Sequence, residues 1–180
     1  MSVEPWQTAE IPGPVKALII TKPLVLAAMM TKAKRAIMVV GHEANEIDLG
    51  GERAIDYAIR IAKACQISIV ATAHVAGEFV KRGFSHISWM PAVDIGNRLQ
   101  DPEWQGLDGN GRYDLVIFLG IPYYMEWNIL SGLKHSAPHL RTVSLDRFYQ
   151  PHASWSFPNV SLEAWQMHLK EVLRHLEAKP

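Results

Sequence analysis

Asp114-Leu115-Val116-Ile117-Phe118-Leu119-Gly120 is the stretch on which the fold turns. It is short, rich in β-branched residues, apolar on both faces and stopped by glycine. A strand with no polar face must be covered on both sides, as happens in parallel sheets. Upstream, Ala36-Ile37-Met38-Val39-Val40-Gly41 has the same character, and so does Ile67 to Ala73. Downstream, Arg141-Thr142-Val143-Ser144-Leu145-Asp146 reads as a fourth strand. Helical spacing fills the gaps between these strands. Pro23 opens a helix that ends near Ala33, with Leu24, Ala27 and Ala28 at helical spacing. In Leu49–Ala64 the residues Ile55, Ala58, Ile59 and Ala62 form one stripe. A short helix over Ala76–Lys81 ends at Gly83, and Pro91 starts another that runs to Leu99. A further helix covers about Tyr124 to Lys134, and Ser161 caps the last one, whose stripe includes Leu162, Trp165, Leu169, Val172, Leu173 and Leu176. Strands joined by helices must be parallel, and the crossovers are right-handed. The expectation is a three-layer α/β/α fold around an open parallel sheet. Residues 1–14 carry Pro5, Pro12, Gly13 and Pro14 and read as an extended N-terminal arm. Residues 15–180 read as a single α/β domain.

Composition excludes several function classes. A chain of 180 residues with 48% hydrophobic residues can bury one sizeable core. Its 18 basic and 18 acidic side chains cancel, which argues against nucleic acid as a main partner. A lone cysteine, Cys65, can make neither an internal disulfide nor an iron–sulfur centre, which takes about four ligands. Cys65 more often serves as a small core hydrophobe than as a nucleophile. The N-terminus lacks a signal-peptide pattern, and no apolar run approaches the roughly 20 residues of a membrane span. A cytoplasmic chain with no membrane contact is expected, carrying no metal of its own.

In an open parallel sheet, ligands sit beyond the carboxyl ends of the strands. That rule selects Gly41, His42 and Glu43 after one strand and Thr72, Ala73 and His74 after the next. It also selects Gly120, Ile121 and Pro122, and then Asp146. Gly41 and Gly120 would let a ligand approach the backbone closely, or they simply end their strands. His42 and His74 could meet an anion or each other, or they are ordinary loop histidines. No G-x-G-x-x-G, Walker loop or G-x-S-x-G elbow is present, so a standard dinucleotide fingerprint and acyl-transfer chemistry lack support. His135 and His139 have zinc-like spacing, but Pro138 breaks the helix between them. His168 and His175 are expected to be exposed on the last helix. Asp108 and Asp114 flank the Asp108-Gly109-Asn110-Gly111 turn and shape it. Trp6, Trp89, Trp104, Trp127 and Trp155 fall in loops or at helix starts, where aromatics serve partner surfaces or cap the core.

Two resemblances follow from longer patterns. Lys32–Arg35, Ile37–Gly41, Ala62–Ala64, Ala71-Thr72 and Asp114–Gly120 together resemble the central domain of thiamine-diphosphate enzymes. That is a Rossmann-like, DHS-like NAD/FAD-binding domain, whose members hold FAD, ADP, NAD or nothing at the strand ends. A narrower resemblance is carried by Asp101-Pro102-x-Trp104-x-Gly106-Leu107-Asp108-Gly109-Asn110-Gly111-x-Tyr113-Asp114, with Ser154-x-Ser156-Phe157-x-Asn159-x-Ser161 beside it. From about Val15 to Leu176 the chain resembles the ε subunit of the archaeal acetyl-CoA decarbonylase/synthase complex. That resemblance implies a non-catalytic accessory role. The partner would be the large, metal-bearing α subunit of carbon monoxide dehydrogenase in an α2ε2 assembly, with contacts between like subunits also open. The role would be to stabilise that assembly or to assist electron transfer to FAD; an independent flavin-binding or dinucleotide-binding electron carrier is the alternative. The chain departs from the broad pattern at Ala73-His74-Val75, where a hydroxyl-bearing turn would offer a phosphate more donors.

Overall fold

The computed structural model describes residues 15–178, and the strands and helices are counted among these residues. Seven parallel strands form one sheet: β1 Leu18–Ile19, β2 Ala36–Val40, β3 Ser68–Ala71, β4 Ile87–Trp89, β5 Leu115–Leu119, β6 Arg141–Ser144 and β7 Trp155–Ser156. Seven helices join or flank them: α1 Pro23–Lys32, α2 Glu43–Glu46, α3 Ala54–Cys65, α4 Ala73–Lys81, α5 Ala92–Gln100, α6 Tyr123–Ser136 and α7 Leu162–Glu177. The strand order is β1-β7-β6-β5-β2-β3-β4. This is the three-layer architecture that the periodicity indicates, Rossmann-like as the family resemblance implies.

The central strands are apolar throughout because the sheet has two cores. Met38 and Val40 of β2 face one core, and Ile37 and Val39 face the other. On β5, Leu115, Ile117 and Leu119 alternate in the same way with Val116 and Phe118. The first core is closed by α1, α3, α4 and α7, through residues such as Leu26, Ile55, Phe79 and Trp165. The fully buried Trp165 donates its indole N–H to the Leu145 carbonyl at 2.7 Å, so it fills volume and satisfies a sheet-end acceptor at once. The second core is closed by α5 and α6 through Ile95, Leu99, Leu130 and Leu133.

Several boundaries differ from the sequence reading. Three strands, β1, β4 and β7, were not expected; each is two or three residues long, too short to show a period. The helix read from Leu49 begins at Ala54. Residues 47–53 form a tight loop instead, with Gly50 and Gly51 at positive φ and a bridge between Asp48 and Arg53. The helix read from Ala76 begins at Ala73, so Ala73 and His74 lie in the first turn of α4 rather than in a loop. His168 is half-buried, not exposed, and stacks on Phe157 with ring centroids 5.1 Å apart. His175 is half-buried too. Trp104 packs on Tyr113, and Trp127 meets the edge of His152. Trp155 lies within β7, while Trp89 stands 68% exposed at the end of β4. Trp6 and the arm over residues 1–14 lie outside the described residues. Among the described residues, no helix is long and apolar enough to cross a membrane.

Candidate functional site

The chain runs outward from β2 through β3 to β4 in one direction, and from β5 through β6 to β7 in the other. The switch point therefore lies between β2 and β5, and its carboxyl side is where a ligand crevice would open. At that point Gly41 and Gly120 bring two segments of chain together. The Gly41 N–H donates to Leu119 at 2.9 Å, and the Glu43 N–H donates to Gly120 at 3.1 Å. A Cβ on Gly41 would lie 2.1 Å from the Gly120 carbonyl oxygen. A Cβ on Gly120, whose φ is +67°, would lie 2.3 Å from the Ala44 nitrogen. The close approach that glycine permits here is made by the protein's own backbone. The Gly120 N–H is in turn held by both oxygens of Asp146, at 3.0 and 2.9 Å.

The packed glycines divide the C-terminal edge into two recesses. On the β3 side lies a cavity of about 300 Å³ lined by Gly41, His42, Thr72, His74, Pro91, Ala92, Ile121, Pro122 and Met125. Thr72, Pro91 and Pro122 are the N-cap residues of α4, α5 and α6, so three helix N-termini border it. The aligned peptide dipoles of helix N-termini favour an anion. The Thr72 hydroxyl oxygen is buried there with no hydrogen-bond partner. The His42 and His74 rings face each other with centroids 6.2 Å apart. Trp89, Val93, Tyr124 and Met125, on the strand end and first helical turns beside the cavity, are 42–68% exposed. On the β6 side a smaller recess of about 40 Å³ is lined by Glu43, Glu126, Asp146 and Gln150, among others.

The structure thus gathers Gly41, His42, Thr72, His74, Ile121 and Pro122 around one cavity, and Glu43 and Asp146 around the other. Ile121 borders both, Gly120 sits in the wall between them, and Ala73 is the first residue of α4. Glu126 was missed by sequence reasoning. It looks like an exposed acid in a first helical turn, yet it lies in line with Leu130 and Leu133 on the buried stripe of α6. That i, i+4, i+7 relation was the available signal.

The long motif over residues 101–114 lies at the opposite edge of the sheet. Asp114 accepts the backbone N–H groups of Lys34 and Arg35 at 2.9 and 2.8 Å, tying the start of β2 to the start of β5. The Arg35 guanidinium reaches Asp108 at 2.5 Å and lies 5.1 Å from the Tyr113 ring centre. That contact, with help from Asn110, holds the Asp108 carboxyl well below the usual carboxylate range. Gly106, Gly109 and Gly111 all take positive φ in this loop. The motif is a clasp for the sheet and contributes nothing to the C-terminal cavities.

Residues 1–173 match the family described as CO dehydrogenase beta subunit/acetyl-CoA synthase epsilon subunit. The chain is 35% identical over 170 residues to the acetyl-CoA decarbonylase/synthase complex subunit epsilon of Methanothermobacter thermautotrophicus, covering 93% of each chain. It is 41% identical over 159 residues to subunit epsilon 1 of that complex from Archaeoglobus fulgidus, covering 86% of this chain and 83% of the relative. The epsilon subunit of Methanothrix soehngenii is 38% identical over 165 residues, covering 91% of this chain and 85% of the relative.

Proposed function

The chain belongs to the CO dehydrogenase beta subunit/acetyl-CoA synthase epsilon subunit family, and from that premise we propose that it is a non-catalytic accessory subunit of such a complex. Its partner is the large, metal-bearing α subunit, with two copies of each in an α2ε2 assembly. The observation that carries this reading is the apolar rim of Trp89, Val93, Tyr124 and Met125 at the strand ends. Exposed aromatic and Met side chains beside a cavity have the composition of a partner surface. The single Cys65 fits a division of labour in which metal chemistry belongs to the partner. The test is an anaerobic affinity purification of this chain from its native extract, with mass-spectrometric identification, metal analysis and a CO-oxidation assay of the eluate. Stoichiometric recovery of the nickel- and iron-bearing α chain supports the reading. Recovery of this chain alone, with no metal and no activity, refutes it.

A second reading, FAD binding in the 300 Å³ cavity, is favoured by one local observation: three helix N-termini meet there beside the unpartnered Thr72 hydroxyl. Those groups fit a phosphate-bearing ligand, and a cavity of this size, at the lower end for ligand sites, takes part of a dinucleotide. Thr72, the first turn of α4 and His42 would hold the phosphates, with Ile121 and Met125 against apolar surface. A flavin bound there supplies one- and two-electron transfer, and the chain's own residues orient it and exclude water. Titration of the purified chain with FAD, followed by flavin fluorescence, tests this. Binding that His74→Ala weakens supports the site, and the absence of binding refutes it.

A further inference from the structure

Neither reading uses the buried acid of the smaller recess. Glu126 is 0% exposed, and neither of its carboxyl oxygens makes a hydrogen bond of good geometry, although the Ser144 hydroxyl and the Asp146 carboxyl lie close enough to interact with it. An ionised carboxylate in that position would be uncompensated, and proteins avoid the cost by keeping the group protonated. Its surroundings are also short of partners: Ser144 Oγ and Gln150 Oε1, on side chains no more than 1% exposed, are unpaired. The charged and titratable groups around the recess come from three elements. Glu43 belongs to α2, Tyr123 and Glu126 to α6, and Asp146 and Arg147 to the segment after β6. Arg147 does not neutralise the acids. Its guanidinium lies 4.1 Å from the Phe148 ring centre and reaches the Val160 carbonyl.

We propose that Glu126 and Asp146 hold one proton between them through the neutral range, and that its loss loosens the segment 146–150 from the switch point. The location of the proton follows from the hydrogen bonds. Asp146 receives the Gly120 N–H on both oxygens, which favours its charged form, while Glu126 receives no backbone N–H and only the nearby Ser144 hydroxyl opposes its protonation. Glu126 keeps the proton, and Asp146 keeps Gly120. Burial, followed by the charge of Asp146, pushes the Glu126 carboxyl well above its usual range. Burial pushes Asp146 up to about 7 against the pull of the Gly120 N–H, and burial also raises Glu43. When the shared proton leaves, two negative charges face each other across the recess. Glu126 is fixed in the packed first turn of α6, so relief comes from the side of Asp146. On that side the Asp146 carboxylate ties segment 146–150 to Gly120, and the half-exposed Phe148 lies in the same segment.

Both carboxyls have folded-state values raised above their unfolded ones. The stability they contribute is therefore complete below the ordinary carboxylate range and is lost as pH rises through the folded values. The experiment uses the full chain, wild type beside Glu126→Gln. The amide is isosteric and neutral, so it keeps a donor group at this position and removes the titration. Denaturant unfolding from about pH 5 to about pH 8 should show the wild-type folded-to-unfolded ratio falling up to about tenfold per pH unit relative to the variant. Amide protection at Gly120 and Gln150, the observed exchange rate set against the intrinsic rate at the same pH, should fall with pH in the wild type and stay level in Glu126→Gln. Infrared difference spectra of the wild type near pH 7 should contain a protonated-carboxyl band that the variant lacks. Equal pH slopes in the two proteins, or a wild type without that band, would overturn the proposal. The wild-type spectrum decides the matter even if the variant fails to fold.

Discussion

Three glycine-to-alanine substitutions separate chain-to-chain packing at the switch point from ordinary backbone strain. Gly83 has φ +69° with nothing within 4 Å of a built Cβ, so Gly83→Ala measures the left-handed conformation alone, roughly 1–2 kcal/mol. Gly41 has no positive φ, but its Cβ would sit 2.1 Å from Gly120 O, 2.6 Å from Gly120 C and 2.8 Å from Ile121 Cα. All three atoms are backbone, so the ends of β2 and β5 must separate. Overpacking of that kind plus weakening of the bonds from Gly41 and Glu43 comes to roughly 3–5 kcal/mol. Gly120→Ala combines both penalties, with φ +67° and a Cβ 2.3 Å from the Ala44 nitrogen, for roughly 4–6 kcal/mol. Total stabilities are about 5–15 kcal/mol, so the last variant is left marginal. For a chain of this length each kcal/mol moves the melting temperature by about 2–4 °C. Calorimetry on the full-length proteins should show Gly83→Ala melting roughly 2–8 °C below wild type, with Gly41→Ala lower by roughly 6–20 °C and Gly120→Ala by roughly 8–24 °C. If Gly41→Ala melted within about 2 °C of wild type, or Gly120→Ala matched Gly83→Ala, the strand ends would not be in contact. The glycines would then be there for a ligand.

Other substitutions test the remaining supports. Trp165→Phe removes the bond to Leu145 and part of a fully buried ring, and should cost roughly 2–3 kcal/mol in urea unfolding without a change in slope. Asp114→Ala strips the acceptor from the Lys34 and Arg35 amides and should cost roughly 2–3 kcal/mol by the same measurement. His152 is buried with both ring nitrogens unpartnered, and burial, then Lys134 and His135, push it down to about 4 from 6.5. A depressed histidine contributes stability that is complete above its ordinary value and lost as pH falls. His152→Leu should therefore flatten the acid limb of stability between about pH 6.5 and about pH 4, worth up to roughly 3 kcal/mol. Trp89→Ala should leave the melting temperature nearly unchanged, since Trp89 is 68% exposed, while weakening binding to the purified α subunit by roughly 2 kcal/mol in calorimetry.

The four strands legible in the chain are the ones whose residues are buried on two faces. Ile37–Val40 and Leu115–Leu119 carry an apolar side chain at every position because each face has its own core. β1, β4 and β7 were not legible, since two or three residues at or near a sheet edge carry no period. The Thr72-Ala73 boundary was blurred for a different reason. The strand-like run Ile-Ser-Ile-Val-Ala-Thr-Ala continues straight into a helix whose first residues have no distinctive cap. Among the site residues, Gly41, His42, Thr72, His74, Ile121 and Pro122 could be picked out because a strand's carboxyl end is a local property. Their division between two recesses could not.

Local sequence by itself determined the six longer helices, though not the one-turn α2, together with the buried strands, their parallel pairing and thus the layered architecture, because burial on two faces and helical crossovers leave a signature within a few residues. It also determined that one Cys cannot build a metal–sulfur centre. Only the tertiary structure decided that β2 lies beside β5 and that Gly41 and Gly120 close on one another. Those outcomes join residues about 80 positions apart, as Asp114 and Arg35 are joined at 2.8 Å. No periodicity within a helix or strand encodes which distant neighbour will be packed against it.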